Sequence, residues 1–117
     1  MTSIEIGEYV RTKDGYIAKI TEIDHHIWFD SIINKISGIS RYSLSEEEFS
    51  NLVIKHSKNI IDLIEVSDYV NGKEIHEIDE NRKRLYSYEK DDYNIILNRD
   101  IQRVVTKEQF SNMEYRV

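Results

Sequence analysis

The side chains able to do acid–base or metal chemistry in this chain are four histidines and a surplus of carboxylates. His25 and His26 are adjacent, and neighbours in an extended segment point to opposite faces, so the pair cannot chelate one ion together. Glu22, Asp24 and Asp30 lie close enough in sequence to complete a histidine–carboxylate site. No spacing among them matches a ligand motif, however, and a polar loop is the plainer reading. His56 and His76 follow strand-like stretches and read as surface residues. Glu46-Glu47-Glu48 looks like an acidic site, yet carboxylates in the first turn of a helix are explained by the helix dipole alone. Serine-nucleophile, Walker-type and dinucleotide motifs are missing, and Gly7, Gly15, Gly38 and Gly72 stand singly at turns. With no cysteine in the chain, thiol nucleophiles, disulfides and cysteine zinc sites are excluded. The expectation is a non-catalytic protein with no metal and no cofactor.

Binding chemistry is better represented. Arg82-Lys83-Arg84 followed by Tyr86 and Tyr88 is the one place where basic and aromatic residues interleave, as a single-stranded nucleic acid or an acidic protein groove would require. The plainer reading is a hairpin strand whose charges guard its edge. Trp28-Phe29 is the most hydrophobic pair. Adjacent strand residues face opposite sides, so one of the two is expected at the surface as an interface anchor, unless a bulge packs both inward. Glu89, Asp91 and Asp92 form a polar tip able to present carboxylates to arginines and lysines of a partner.

These groups must be positioned by a chain of 117 residues with net charge -6 and no proline. Each half of the chain carries about -3, so neither is a basic arm of the kind a phosphate-binding domain displays. No apolar run approaches the about 20 residues of a membrane helix or a secretory core, giving a soluble cytoplasmic protein as the expectation. Isoleucine, lysine, asparagine and tyrosine are abundant while Ala18 is the only alanine, a bias typical of AT-rich genomes.

Self-similarity organises the sequence. Ile4-Glu5-Ile6-Gly7-Glu8-Tyr9-Val10 matches Ile64-Glu65-Val66-Ser67-Asp68-Tyr69-Val70, and Ser45 to Leu52 matches Thr106 to Met113, both at a displacement of about 60 residues. Glu22-Ile23-Asp24 and Glu77-Ile78-Asp79 add a weaker third pair. Each copy opens on alternating residues that reach a tight turn, Asp14-Gly15 in the first and Asn71-Gly72 in the second. Ile27-Trp28-Phe29 and Ile32-Ile33, then Leu85 to Tyr88 and Tyr93 to Leu97, favour strands. Ser45 with Glu48 and Thr106 with Gln109 are capping boxes, each starting a short helix that feeds a closing strand at Leu52-Val53-Ile54 or Met113 to Val117. Phe49 and Phe110 anchor those helices.

Strands, tight turns and a one-turn helix before a last strand are the plan of a small SH3-like barrel. The expected fold class is therefore all-β with short helical turns, a tandem duplication of two small SH3-like barrels packed into one rigid unit. Residues 1–56 form the first, 57–63 an apolar connector and 64–117 the second. Such barrels are marginal alone, and Ile60, Ile61 and Leu63 of the connector are expected to lie between them.

The repeated I-E-[IV]-x-[DE]-Y-V opening, the Asp62-Leu63-Ile64-Glu65 connector and the Phe49-Ser50-Asn51 and Thr106-Lys107-Glu108-Gln109-Phe110 segments together resemble a family of small proteins from phages and prophages of low-GC Gram-positive bacteria. Ser67 departs from the glycine at that point of the opening, which bears on whether the second copy makes the same left-handed turn. The resemblance implies no catalytic residues. It implies a binding protein that inhibits a bacterial defence system, anti-CRISPR-like or related, by contact with a host protein. The alternative is a nucleic-acid-binding or regulatory module built on Arg82, Lys83, Arg84, Tyr86 and Tyr88, and a third possibility is a phage assembly component.

Overall fold

Among the described residues, three small antiparallel sheets, two short helical turns and one capped helix follow from the turn and cap chemistry of the sequence. The computed structural model describes residues 4–30, 41–89 and 92–109. The first sheet has the order β4-β3-β2-β1-β5, from β1 (Tyr9–Thr12), β2 (Ile17–Ile23), β3 (Ile27–Asp30), β4 (Arg41–Leu44) and β5 (Val53–Ser57). Helix α1 (Glu46–Leu52) connects β4 to β5. The other two sheets have the orders β11-β6-β7 and β10-β9-β8, from β6 (Tyr69–Val70), β7 (Lys73–Glu74), β8 (Glu77–Asp79), β9 (Arg84–Glu89), β10 (Asp92–Leu97) and β11 (Val104–Val105). No sheet closes into a barrel among the described residues. Among these residues no helix is long and apolar enough to cross a membrane.

Local chemistry fixes the elements. The Ser45 hydroxyl accepts from Glu48 N–H and Glu48 Oε1 accepts from Ser45 N–H at 2.9 Å, the expected capping box. Both Asn71 and Gly72 have positive φ, the requirement of the two-residue turn that brings Val70 opposite Lys73. The openings of the two halves make the same bonds. Gly7 N–H donates to Ile20 O and Ile20 N–H to Glu8 O; Ser67 N–H donates to Ile75 O and Ile75 N–H to Asp68 O. Glu8 and Asp68 each accept the N–H three residues before them. Ser67 adopts φ 81 against 96 at Gly7, so the left-handed turn is made in both, at a steric cost in the second.

The closing strands do not correspond in the same way. After α1, β5 pairs with β1; in the second half β6 is paired by β11, which precedes the capping segment at Thr106. The strand expected over Met113 to Val117, like Phe110 and Ile32-Ile33, lies outside the described residues. Thr106 turns instead toward the first half, its hydroxyl donating to Gly15 O at 2.7 Å.

Two clusters of buried side chains form among the described residues. One gathers Val10, Ala18, Ile20, Ile27, Phe29 and Phe49, with the two phenylalanine rings stacked 6.1 Å apart. The other gathers Ile60, Ile61 and Leu63 of the connector, which make a 3-10 turn, with Ile17 of β2 and with Ile64, Val70, Ile75, Leu85, Ile96 and Val104. The connector is core, not a flexible linker. Asn98 Oδ1 holds it further by accepting from Ile61 N–H.

Candidate interaction surface

The β9–β10 hairpin controls what the protein shows to a partner. Its strands pair from Glu89 opposite Asp92 to Arg84 opposite Leu97, and alternation sends Leu85, Ser87 and Ile96 inward, where they are buried. Tyr86, Tyr88, Tyr93 and Ile95 therefore share the outer face. Tyr86 and Tyr88 are stacked 6.5 Å apart, and Tyr93 lies 5.1 Å from Tyr88 and 6.0 Å from Tyr86. Tyr88, Tyr93 and Ile95 keep 44%, 58% and 47% of their surface exposed. Tyrosine rings held in place by one another lose little freedom on binding, and they offer an apolar face with a polar rim.

The edge of this patch is braced from β8. The Tyr88 hydroxyl donates to Glu77 Oε2 at 2.7 Å. That bond, with desolvation adding to it, holds the phenol proton up to about 12, so the hydroxyl stays a donor at neutral pH. His76 Nδ1 accepts Tyr88 N–H, leaving Nε2 to donate to Glu74 at 3.0 Å. Its ring stands 5.9 Å from Tyr88.

The basic run is not part of the patch. Arg82 and Lys83 occupy the β8–β9 turn, at the far end of β9 from Tyr88, and Lys83 takes the positive φ that the turn needs. Arg82 faces Asp79 at 3.9 Å, and Lys83 pairs with Asp62 of the connector, which Ser57 also holds. Arg84 sits opposite Asp79 in the ladder. Glu89 pairs with Asp92 at the end of the ladder next to Tyr88 and Tyr93, and Asp91 lies outside the described residues. Phe29 is fully buried in the core opposite the buried Ile20, so it is not the surface residue of the Trp28-Phe29 pair, which corrects its reading as a contact residue. Trp28 is half-buried, and its Nε1 donates to Asp24 Oδ1 at 3.1 Å. Tyr93 and Ile95 were not singled out by sequence, although counting back from the hairpin tip places Tyr93 opposite Tyr88.

The strongest electrostatic feature is internal. Arg11 on β1 is fully buried, and its guanidinium donates to both oxygens of the equally buried Asp68, to Leu63 O at 3.0 Å and to Glu108 at 2.9 Å. Asp68 also accepts from Glu65 N–H and Lys107 N–H. Burial works against the charge on Arg11, but bonding to Asp68 and Glu108 outweighs it and holds the proton more tightly than usual. Burial likewise opposes ionisation of Glu65, while Lys107, Lys55 and the Arg11 charge override it and hold that carboxyl at about 2. A cation so enclosed cannot meet a ligand and acts as a brace. Among the described residues no group of three or more histidines and carboxylates is placed to hold a metal ion.

Comparison with protein-family models, curated proteins and solved structures finds no significant match to this chain.

Proposed function

We propose that this chain is a non-catalytic protein-binding module whose contact surface is the outer face of the β8–β9–β10 sheet. The observation that carries the reading is the exposed cluster of Tyr86, Tyr88 and Tyr93 with Ile95. Clustered aromatics on an exposed sheet face suit another protein surface, where tyrosine is enriched among the residues that dominate binding energy. A small-molecule site would be concave and enclosing instead. The matching bonds at Gly7 and Ser67 support the tandem SH3-like reading of the two halves, with the second half carrying the contact surface. The inhibitor role, blocking a bacterial defence or host protein from a phage genome, rests on the sequence resemblance alone.

The pairing of Arg82 and Lys83 with carboxylates favours a protein over a nucleic acid as partner, since charges already neutralised release few counterions. Capture from a bacterial lysate by the wild-type chain and by a Tyr88→Ala/Tyr93→Ala variant tests the reading. A protein retained by the first and lost from the second is the expected result. Equal retention by both, or tight binding of single-stranded DNA or RNA that an Arg82→Ala/Lys83→Ala/Arg84→Ala variant loses, contradicts it.

A further inference from the structure

The edge of the same sheet carries a second surface. Among the described residues β10 is an outer strand, and the backbone groups it turns away from β9 can be identified. Tyr86 O accepts from His76 N–H and Tyr88 N–H donates to His76, so the even-numbered residues of β9 face β8, and Leu85, Ser87 and Glu89 bond to β10. Their partners Asp92, Asn94 and Ile96 are thereby satisfied, while Tyr93, Ile95 and Leu97 point N–H and C=O outward. Leu97 N–H is taken by Asp100 Oδ2 at 3.1 Å, which agrees with that assignment. Tyr93 and Ile95 remain as a hydrogen-bonding edge with apolar, exposed side chains and with no proline or lysine to blunt it.

We propose that β10 pairs antiparallel with β10 of a second copy of this chain about a twofold axis through Asn94. Two observations choose that register. Centring on Asn94 places Tyr93 opposite Ile95 of the second copy, so the outward N–H and C=O groups of both are used and the Leu97–Asp100 bond is kept. It sets the two Asn94 side chains directly across the axis in a close, non-hydrogen-bonded pair. Asn94 Nδ2 is buried and has no hydrogen-bond partner among the described residues, and the soft terminal torsion of the residue lets each carboxamide meet the other. The product is a six-stranded sheet whose outer face joins both tyrosine clusters. This pairing stands independently of the protein-binding role of that face.

One strand edge buries less than the about 800 Å² per partner of a stable interface, so the dimer is weak, with a dissociation constant on the order of 10⁻⁴ M. Sedimentation equilibrium of the full chain from about 10 μM to about 1 mM is expected to show monomer converting to dimer. Ile95→Lys, which puts a charge on each side of the axis, is expected to weaken association at least about tenfold. Asn94→Asp sets two carboxylates face to face and is expected to do the same. Hydrogen exchange on the wild-type chain needs no variant: Tyr93 and Ile95 amides should gain about fourfold protection between the two concentrations, the fall in monomer fraction that such a dissociation constant implies, while Leu97 is unchanged. A chain still monomeric at the top concentration overturns the proposal, as does a dimer that Ile95→Lys leaves intact or whose β10 amides exchange equally at both concentrations. The edge would then be left to an extended strand of a different protein.

Discussion

The Arg11 guanidinium meets the Asp68 carboxylate across 57 residues of sequence, and both side chains are fully buried. Arg11 stands on β1 and Asp68 at the turn into β6, so this pair ties the opening strand of one half to that of the other. Removing Arg11 leaves the Asp68 carboxylate buried with no cationic side chain bonded to it among the described residues. Arg11→Met is therefore expected to lower stability by about 3–5 kcal/mol, measured by urea unfolding. An added Asp68→Leu should recover only part of the loss, because Asp68 also accepts the N–H groups of Glu65 and Lys107. Full recovery would assign the cost to the charge alone.

Glu65 makes stability depend on pH with a definite sign. Its folded value of about 2 lies below the ordinary 4.5, so its contribution is fully present above about 4.5 and is lost as pH falls toward about 2. Glu8 and Asp62 are shifted in the same direction, with burial opposing and His56 or Lys83 overriding it. Urea midpoints between these pH values should fall steadily for the wild type. Glu65→Gln should show a shallower slope and a lower midpoint at neutral pH.

Gly7 and Ser67 occupy the same turn with φ 96 and 81, which yields a pair of opposite predictions. Ser67→Gly relieves a left-handed serine and is expected to stabilise the protein by about 0.5–1 kcal/mol. Gly7→Ala should cost about 1 kcal/mol by conformation alone, since an added methyl there meets no atom within 4 Å. Thermal unfolding of both variants gives the signs directly.

Gly15 is a different case, because both space and φ forbid a side chain. A Cβ there would lie 2.8 Å from Glu108 Cβ and run into the Thr106 hydroxyl. Gly15→Ala is expected to cost about 1–3 kcal/mol and to push residues 106–109 off the first half. Faster exchange of the Lys107 amide, which donates to Asp68, reports that displacement.

Local chemistry was legible in the sequence where it depends on a few neighbouring residues. The Asn71-Gly72 turn, the Ser45 capping box, the β9 and β10 strands and the buried connector all follow from such patterns. Arg11 was not, because an arginine in a strand reads as surface until a carboxylate from a distant segment is brought to it. The pairing of β6 was missed for a related reason. Val104-Val105 carries no signal stronger than the segment after Thr106, and its pairing with Val70 and Tyr69 is a long-range match that local pattern does not announce. The tyrosine face was half visible: Tyr86 and Tyr88 stood out, while Tyr93 and Ile95 joined them once the hairpin register was known. Phe29 shows the converse, a conspicuous aromatic claimed by the core.

The central claim is that the outer face of the β8–β9–β10 sheet is the contact surface, and a binding titration with the purified captured protein tests it most directly. Affinity should fall at least about tenfold in Tyr88→Ala/Tyr93→Ala, stay unchanged in Arg82→Ala/Lys83→Ala/Arg84→Ala, and change little between about 0.1 M and about 1 M salt. Affinity insensitive to the tyrosines but lost with the basic triplet or with salt would contradict it.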